Sequence, residues 1–479
     1  MATIIPLNRC VLDAAEIVRA SGALFSGEPS LRIDGVGIDT RTLWPGALFV
    51  ALRGVRDGHA FLDAAADKGA AAAIVERGRR HGILPCFEVD DTLRALGALA
   101  RNHLERVRSA SSLPVVAIGG AAGKTTTKEF AAALMRTLFG EILATPGNLN
   151  NLIGLPMTLL TLTEGQRAAV LECGTNQPGE IARLAAILRP DVALVLNVDI
   201  EHTERLGSLD GVADEEAALF LQARCAIVPF SEKLLLKRLP ARMRTVTFGS
   251  EANADVQLIS RVVLAPGRQQ VKLKLPPQMV ESTLSPYLET TLSLVGEPIA
   301  ENAAAAVAAA AVAWGRPLKP DQLAALGAAL AAVRGEPGRL SVREQNGVVI
   351  IDDSYNANPR SVRAALRAAR ETADMLHTRL VVALGDMLEL GELSPMMHAD
   401  AVRDTLDARP DEFIAVGREF MAAVSLLTPS LRVRTKLHMA SDSTEAAVVL
   451  RRVISPGDVL LVKGSRGIEM ERVVDGLHG

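Results

Sequence analysis

VVAIGGAAGKTTT, at residues 115–127, is the stretch that decides the fold. Its first four apolar residues predict a buried strand, the glycines predict a tight loop, and a helical pattern begins near Lys128. The backbone N–H groups of such a loop, and of the helix that follows it, surround phosphate oxygens. Lys124 would add a positive charge, and the Thr125 hydroxyl would bind Mg²⁺. The sequence therefore predicts a nucleoside triphosphate site.

This loop is shorter than the common phosphate-binding motif, whose spacing would place glycine where the chain has Ile118. The alternative is a glycine turn with a solvated lysine. A triphosphate site also needs an acidic metal ligand at the end of a neighbouring strand. Glu172 closes the apolar run 168–171 and fits that position, although it could instead cap a turn. His202, soon after the run 192–196, would by itself indicate a surface or capping histidine.

Composition excludes several classes of protein. Lys and Arg number 52 against 55 Asp and Glu, so no overall charge attracts the 479-residue chain to nucleic acid or to an anionic membrane. The four cysteines lack CxxC spacing, which favours a reducing, cytoplasmic location over a disulfide framework or a zinc site. The longest apolar run, 303–314, is too short to span a bilayer and predicts a buried helix.

The pattern of strands and helices predicts an α/β fold with three domains. A linker over 104–113 separates an N-terminal domain, 1–108, from a central ATP-binding domain, 109–334. Short apolar runs between helical stretches indicate a parallel sheet in the central domain, with an antiparallel ribbon within 254–295. After a hinge at 334–338, residues 335–479 predict a doubly wound, Rossmann-like domain.

Polar clusters follow three of the strands predicted in the third domain. They are Asp352 to Pro359, Gly385 to Met387, and Lys463 to Arg466. Each alone could be turn chemistry. Because open α/β sheets bind ligands at the carboxyl ends of their strands, three together favour a site.

Further motifs extend along the whole chain in a fixed order. In the first domain they are 39–41, 45–52 and 57–61. In the second they are 123–128, 147–151, 153–156, 178–182, and His202 with 207–208. In the third they are 338–339, 352–359, 385–391, His398, 463–466 and 470–471. This ordered set resembles the Mur ligase family.

The resemblance implies ATP-driven formation of an amide bond, with ATP and Mg²⁺ as cofactors. The γ-phosphoryl group would pass to an acceptor carboxylate, and an incoming amine would then attack the acyl phosphate. The partners implied are a small or nucleotide-linked peptide acceptor and an amino acid or dipeptide. The best-matched reaction adds D-alanyl-D-alanine to UDP-N-acetylmuramoyl-tripeptide in peptidoglycan precursor synthesis. No nucleic acid and no stable membrane insertion are expected, and a monomer is favoured although the oligomeric state stays open.

The resemblance also assigns roles to single residues. The catalytic set would be Lys124, Glu172, His202 and Arg339. The nucleotide would be held by Gly120, Gly123, Lys124, Thr125, Thr126, Asn302 at the adenine, Arg339 at the γ-phosphate, and Asp353, Tyr355 and Asn356 on the ribose side. The other substrates would contact Arg41, Asn150, Asn151, Lys463, Ser465 and Arg466. The metal ligands would be Thr125, Glu172, His202 and Glu216.

The chain departs from the family's pattern at several positions. Glu216 stands where the family has a carbamoylated lysine; it would be a permanent carboxylate ligand, unless it is a solvated helix residue or Glu215 is the ligand instead. The other differences are Pro298 and Ile299 in place of a His-Asn pair, Leu152 in place of an acidic residue, and Gly119, Ala121 and Ala122 where the loop usually carries hydroxyl groups. Two alternatives therefore stay open: a divergent ligase of specialised metabolism that joins another amine to another carboxylate, and a nucleotide-binding paralogue with weak catalysis.

Overall fold

The computed structural model describes residues 4–200, 203–282, 285–427 and 435–478. Strands in these segments form sheets of two, four, nine and six strands. Among the helices described, none has both the length and the apolar character needed to cross a membrane. The α/β fold class with parallel sheets is confirmed.

The N-terminal part carries the two small sheets. Its strands are β1 (Val11–Asp13), β2 (Arg32–Asp34), β3 (Val36–Gly37), β4 (Leu48–Val50), β5 (Ala72–Glu76) and β6 (Cys86–Val89). Its helices are α1 (Ala14–Ser21), α2 (Leu62–Asp67) and α3 (Thr92–Ala110). β1 and β2 pair antiparallel, whereas β3 to β6 form a parallel sheet.

The prediction of a linker over 104–113 is wrong, because α3 continues to Ala110. The apolar side chains of Leu104 and Val107 are buried at helical spacing, while arginines occupy the outer face. The His103 ring pairs with the carbonyl oxygen of Leu162 at 2.8 Å, which ties α3 to the central part of the chain. The basic residues mark the solvated side of a helix and not a linker.

The nine-stranded sheet is the centre of the molecule, in the order β15-β14-β13-β12-β11-β10-β7-β9-β8. Its strands are β7 (Val115–Gly119), β8 (Ile142–Ala144), β9 (Ala168–Glu172), β10 (Val192–Val195), β11 (Cys225–Pro229), β12 (Arg244–Gly249), β13 (Val256–Ala265), β14 (Arg268–Lys274) and β15 (Tyr287–Leu292). The last three are antiparallel, which confirms the predicted ribbon.

The helices of this part are α4 (Lys124–Phe139), α5 (Gly154–Leu159), α6 (Glu180–Leu188), α7 (Thr203–Leu206), α8 (Leu209–Ala217), α9 (Lys233–Leu236), α10 (Glu297–Trp314) and α11 (Pro320–Ala332). The alanine run forms α10, whose residues 303–310 are entirely buried beside the sheet. Small side chains allow this close approach, so the predicted buried helix is confirmed.

The C-terminal sheet has the order β16-β17-β21-β18-β19-β20, with an antiparallel edge strand β16 and five parallel strands. Its strands are β16 (Ser341–Gln345), β17 (Val348–Asp353), β18 (Leu380–Gly385), β19 (Glu412–Val416), β20 (Lys436–Ala440) and β21 (Val459–Lys463). Its helices are α12 (Pro359–Leu376), α13 (Ser394–Asp407), α14 (Arg418–Ser425), α15 (Ser443–Val453) and α16 (Glu471–Asp475).

Helix α12 joins the C-terminal part to the central part. Near its start, the Arg360 N–H donates to Asp199 Oδ2 at 3.1 Å. Three turns later, both Arg261 Nη atoms donate to the Glu371 carboxylate at 2.6 and 2.9 Å. These contacts place the start of α12 beside the carboxyl ends of β7, β9 and β10.

Candidate active site

The glycine-rich loop after β7 is fixed by its backbone conformation and by one side chain. Gly120 has φ +118°, and a Cβ there would lie 2.9 Å from the Leu196 nitrogen, so only glycine fits without strain. Asn197, just beyond β10, clamps the loop: its Oδ1 accepts from the Ala122 N–H at 2.8 Å, and its Nδ2 donates to the Ala122 oxygen at 2.9 Å. The loop is therefore held open at the start of α4.

Polar groups converge immediately beyond the loop. Glu172, at the end of β9, accepts hydrogen bonds from Thr125 Oγ1 at 3.1 Å and from Asn150 Nδ2 at 2.7 Å. Lys124 Nζ donates to the Gly120 oxygen at 2.5 Å. Neighbouring parallel strands bring these residues together, since β9 lies directly beside β7. A hydroxyl and a carboxylate at one point form the hard-oxygen donor set that Mg²⁺ prefers.

The two glutamates near the end of α8 have different surroundings. The Glu216 side chain is buried behind the loop, where Oε2 accepts from the Gly120 N–H at 2.6 Å. Burial, together with the negative charges of Glu216 and Glu172, raises the pKa of the Cys173 thiol. Glu215 instead accepts from the N–H groups of Gly179 and Ile181, at the start of α6. Glu216 is thus not a solvated helix residue, and the Glu215 carboxylate is taken up as a helix cap.

The predicted metal set is only partly described. His202 lies outside the described residues, and across the described segments no three His, Cys, Asp or Glu side chains converge on one metal position. Glu216 as a metal ligand stays a prediction.

The C-terminal domain presents a rigid polar wall. Asp353 and Lys463 end neighbouring strands β17 and β21 and form a buried ion pair at 2.5 Å. Burial raises the pKa of Asp353, and the Lys463 ammonium opposes that change. The other Asp353 oxygen accepts from the Leu340 N–H at 3.1 Å, which draws residues 338–340 onto the end of β17.

Arg339 lies on this wall. Its guanidinium carbon is 3.9 Å from the centre of the Tyr355 ring, and the Tyr355 N–H donates to the Gly338 oxygen at 2.9 Å. Arg339 Nε is buried without a hydrogen-bond partner among the described residues, and Glu336 Oε2 lies 3.6 Å away. A partly buried guanidinium whose Nε–H donor is unused is suited to an anion.

One cavity of about 420 Å³ lies between the loop and this wall. Predicted site residues that line it are Gly123, Lys124, Thr125, Thr126, Asn150, Asn151, Glu172, Asn302, Arg339, Asp353, Tyr355, Asn356 and Lys463. Asn302 packs its amide against Gly123, beside the loop.

Five predicted residues lie elsewhere. Gly120 belongs to the loop but does not line the cavity, Glu216 is behind the loop, and Arg41 is exposed in the N-terminal part, where it pairs with Asp39 at 2.5 Å. Ser465 is buried, and its hydroxyl accepts from the Leu388 N–H at 2.9 Å. Arg466 is half-exposed and pairs with Glu471 at 2.7 Å.

Sequence reasoning missed several cavity residues, chiefly Asn197, Glu301 and Arg360. Asn197 directly follows a predicted strand, so its position at a strand end could have indicated it. Glu301 and Arg360 lie within helical patterns on different domains, and the sequence carries no signal that they meet.

Comparisons with known proteins agree with this geometry. The Mur ligase middle domain matches residues 118–310, the Mur ligase glutamate ligase domain matches 338–466, and the Mur ligase family catalytic domain matches 32–103. The UDP-N-acetylmuramoyl-tripeptide–D-alanyl-D-alanine ligase of Escherichia coli is 36% identical over 458 residues, which cover 94% of each chain. The chain belongs to the Mur ligase family. The enzyme of the same name from Bacillus subtilis is 31% identical and covers 98% of each chain.

Solved structures of Mur ligases have the same fold. A crystal structure of MurF from Acinetobacter baumannii has a TM-score of 0.85 at 29% identity, covering 99% of this chain and 100% of that one. MurF from Thermotoga maritima in complex with ADP has a TM-score of 0.77 at 28% identity, covering 92% of this chain and 96% of that one. The three-domain fold predicted from the sequence is thus confirmed.

Proposed function

We propose that this Mur ligase uses ATP to join D-alanyl-D-alanine to UDP-N-acetylmuramoyl-tripeptide, releasing ADP and phosphate. The substrates are those in the names of the relatives from Escherichia coli and Bacillus subtilis. The observation that carries the proposal is the meeting of Thr125, Asn150 and Glu172 beside the glycine-rich loop, across one cavity from Arg339.

The residues of the cavity fit ATP and Mg²⁺. The loop N–H groups and the Lys124 ammonium would attract the negatively charged phosphates. The Thr125 hydroxyl and the Glu172 carboxylate would supply oxygen ligands for the metal. Glu216 is proposed as a further metal ligand. It stands where the family has a carbamoylated lysine, and its carboxylate is a hard-oxygen donor without any such modification. When bound, Mg²⁺ would neutralise charge on the phosphates.

The chain's own residues account for the rest of the chemistry. Lys124 and Arg339 approach from different domains, and their charges would stabilise the γ-phosphoryl group as it moves between two anions. Asn150 and Asn151 line the cavity and are proposed to contact the acceptor, and Asp353, Tyr355 and Asn356, which also line it, are proposed to contact the nucleotide. A wall supplied by a second domain would also keep water from the acyl phosphate.

Arg41, Lys463, Ser465 and Arg466 are proposed as substrate contacts on the resemblance alone. A monomeric state and a cytoplasmic location also stay predictions.

The test is a coupled assay of ADP and phosphate release. ADP should form rapidly only when ATP, the tripeptide acceptor and D-alanyl-D-alanine are all present. Release of AMP and pyrophosphate would contradict the acyl-phosphate route. A panel of other amines and carboxylates separates a divergent ligase from this proposal, since faster turnover with another pair would overturn the substrate assignment.

Lys124→Ala provides the matched loss of function. The Lys124 ammonium would neutralise the negative charge that develops on the phosphates. Losing such stabilisation lowers turnover about 10²-fold or more, so ADP release should fall by at least that factor. The melting temperature should stay near that of the wild type, because Lys124 lies at the cavity and not in the core. A folded variant with near-normal turnover would contradict the phosphate assignment.

A further inference from the structure

Glu301 is a cavity-lining carboxylate that the proposed chemistry does not use. It lies in α10, one turn after Pro298, and lines the same cavity as the glycine-rich loop. Within the described segments, no residue forms a hydrogen bond or an ion pair with its carboxylate. A half-buried carboxylate without a protein partner is unfavourable, and more so in a cavity suited to phosphates. Its presence therefore indicates a partner on the ligand.

The cavity extends from the glycine-rich loop to an end lined by Phe248, and the charge of Glu251, two residues beyond β12, acts on Glu301 from that side. The loop follows β7, whereas Phe248 lies in β12, three strands away in the order β12-β11-β10-β7. At about 4.8 Å between neighbouring strands, this separation is about 14 Å. Phe248, Pro298 and Ile299 give this end apolar side chains. A flat base with a polar edge fits there, while the phosphates occupy the loop.

Few groups at this end can recognise the polar edge of a base. Pro298 and Ile299 have no side-chain donor or acceptor, so the polar side chains of α10 that line the cavity are Glu301 and Asn302, whose amide lies beside Gly123 at the loop. Arg360, which faces the cavity from α12, acts on Glu301 only through its charge.

The electrostatics of Glu301 agree with a site that excludes water. Burial, and after it the charge of Glu297, raises the pKa of the Glu301 carboxyl, while Arg360 lowers it and Glu251 raises it further. A partly desolvated acceptor forms a stronger hydrogen bond with a ligand donor than an exposed one does.

We propose that Glu301 selects the base of the nucleotide by accepting a hydrogen bond from the 6-amino group of adenine. The inference rests on the proposed ATP site and deepens it. An ionised carboxylate has only acceptors, so it pairs with an amino group. Guanine presents a carbonyl oxygen at the same position, and two acceptors facing each other would repel. Glu301 is thus a specificity-determining residue for ATP against GTP.

The test compares two ligands on four forms of the full chain, with GDP added for the wild type alone, by calorimetry in the presence of Mg²⁺. The ligands are ADP and purine riboside 5′-diphosphate, which lacks only the 6-amino group. The forms are the wild type, Glu301→Ala, Glu301→Gln and Glu297→Gln. The last is a matched control, because Glu297 carries the same charge one turn earlier but does not line the cavity.

The expected result is a difference that depends on the amino group. The wild type should bind ADP about tenfold or more tightly than purine riboside diphosphate, as expected for a hydrogen bond to a charged group. Glu301→Ala should lose that ratio, Glu301→Gln should keep part of it through its amide oxygen, and Glu297→Gln should keep all of it. A general electrostatic effect of Glu301 would change the affinity for both ligands equally.

Three results would overturn the inference: equal affinities of the wild type for the two ligands, the same ratio in Glu301→Ala, or tighter binding of GDP than of ADP by the wild type. The first and third use the unmodified chain, so they hold even if a variant fails to fold. If the wild type bound no nucleotide at all, the proposed function itself would fail. Binding of ADP without the expected ratio would remove only the role of Glu301.

Discussion

Asn197→Ala should weaken nucleotide binding without removing any group that touches the nucleotide's phosphates. The side chain makes two hydrogen bonds to the backbone of Ala122, at 2.8 and 2.9 Å, and these hold the loop in its open form. Each such bond contributes about 1 kcal/mol net, so the loop loses about 2 kcal/mol of preorganisation. At about 1.4 kcal/mol per factor of ten, the dissociation constant of ADP should rise about 30-fold.

Calorimetry with ADP and Mg²⁺ measures this change, and melting temperatures with and without ADP show where the lost free energy appears. Asn102→Ala is the control, since Asn102 lies on α3 away from the cavity. It should leave the affinity for ADP unchanged. If Asn197→Ala lowered the melting temperature of the free protein but left ADP affinity within about twofold, the clamp would stabilise only the fold and the reasoning would be refuted.

Three other perturbations test different parts of the structure. Glu216→Gln removes a charge but leaves an oxygen for the Gly120 N–H, so it should raise the Mg²⁺ concentration needed for turnover if Glu216 is a ligand; an unchanged Mg²⁺ titration would exclude that role. Arg261→Ala removes both donors to Glu371 and should increase the radius of gyration of the ligand-free protein in small-angle scattering, whereas an unchanged radius would mean that other contacts fix α12. Burial lowers the pKa of His103 below its unfolded value of about 6.5, so the unfolded state binds more protons and stability should fall as pH drops through that value. Urea unfolding at pH 7.5 and 5.5 measures this loss of stability. If His103→Gln lost as much stability between the two pH values as the wild type does, the prediction would be contradicted.

The sequence is most informative where one physical signal dominates. Apolar runs bounded by loops locate β7, β9 and β18 to within one residue or two, because strands buried on both faces need continuous apolar character. The edge strands β16 and β20 carry no such run, because much of each strand remains exposed. The linker prediction is wrong for residues 104–110 because it rests on their basic side chains, whereas the apolar residues of the same segment recur at helical spacing.

The site divides in the same way. The loop from Gly120 to Thr126 could be predicted because its residues are contiguous, and Glu172 because a parallel sheet puts strand ends at one edge. Asn197 follows a predicted strand, but the sequence does not show that it holds the loop, and Glu301 could not be predicted as a residue of the cavity, since both placements depend on sheet order and on how α10 packs. The hydrogen bond from the Leu388 N–H to the Ser465 hydroxyl likewise depends on the fold and could not be predicted from the sequence.

The balance of charge around the cavity explains why the nucleotide should bind together with a cation. Glu172 lines the cavity, Glu216 lies behind the loop, and both carboxylates are buried. Glu172 accepts two hydrogen bonds from neutral groups, so these contacts leave its negative charge in place. Phosphates entering beside Glu172 would be repelled by this charge. A divalent cation between Glu172 and the phosphates turns that repulsion into attraction, so the same carboxylate that opposes free ADP favours its magnesium complex.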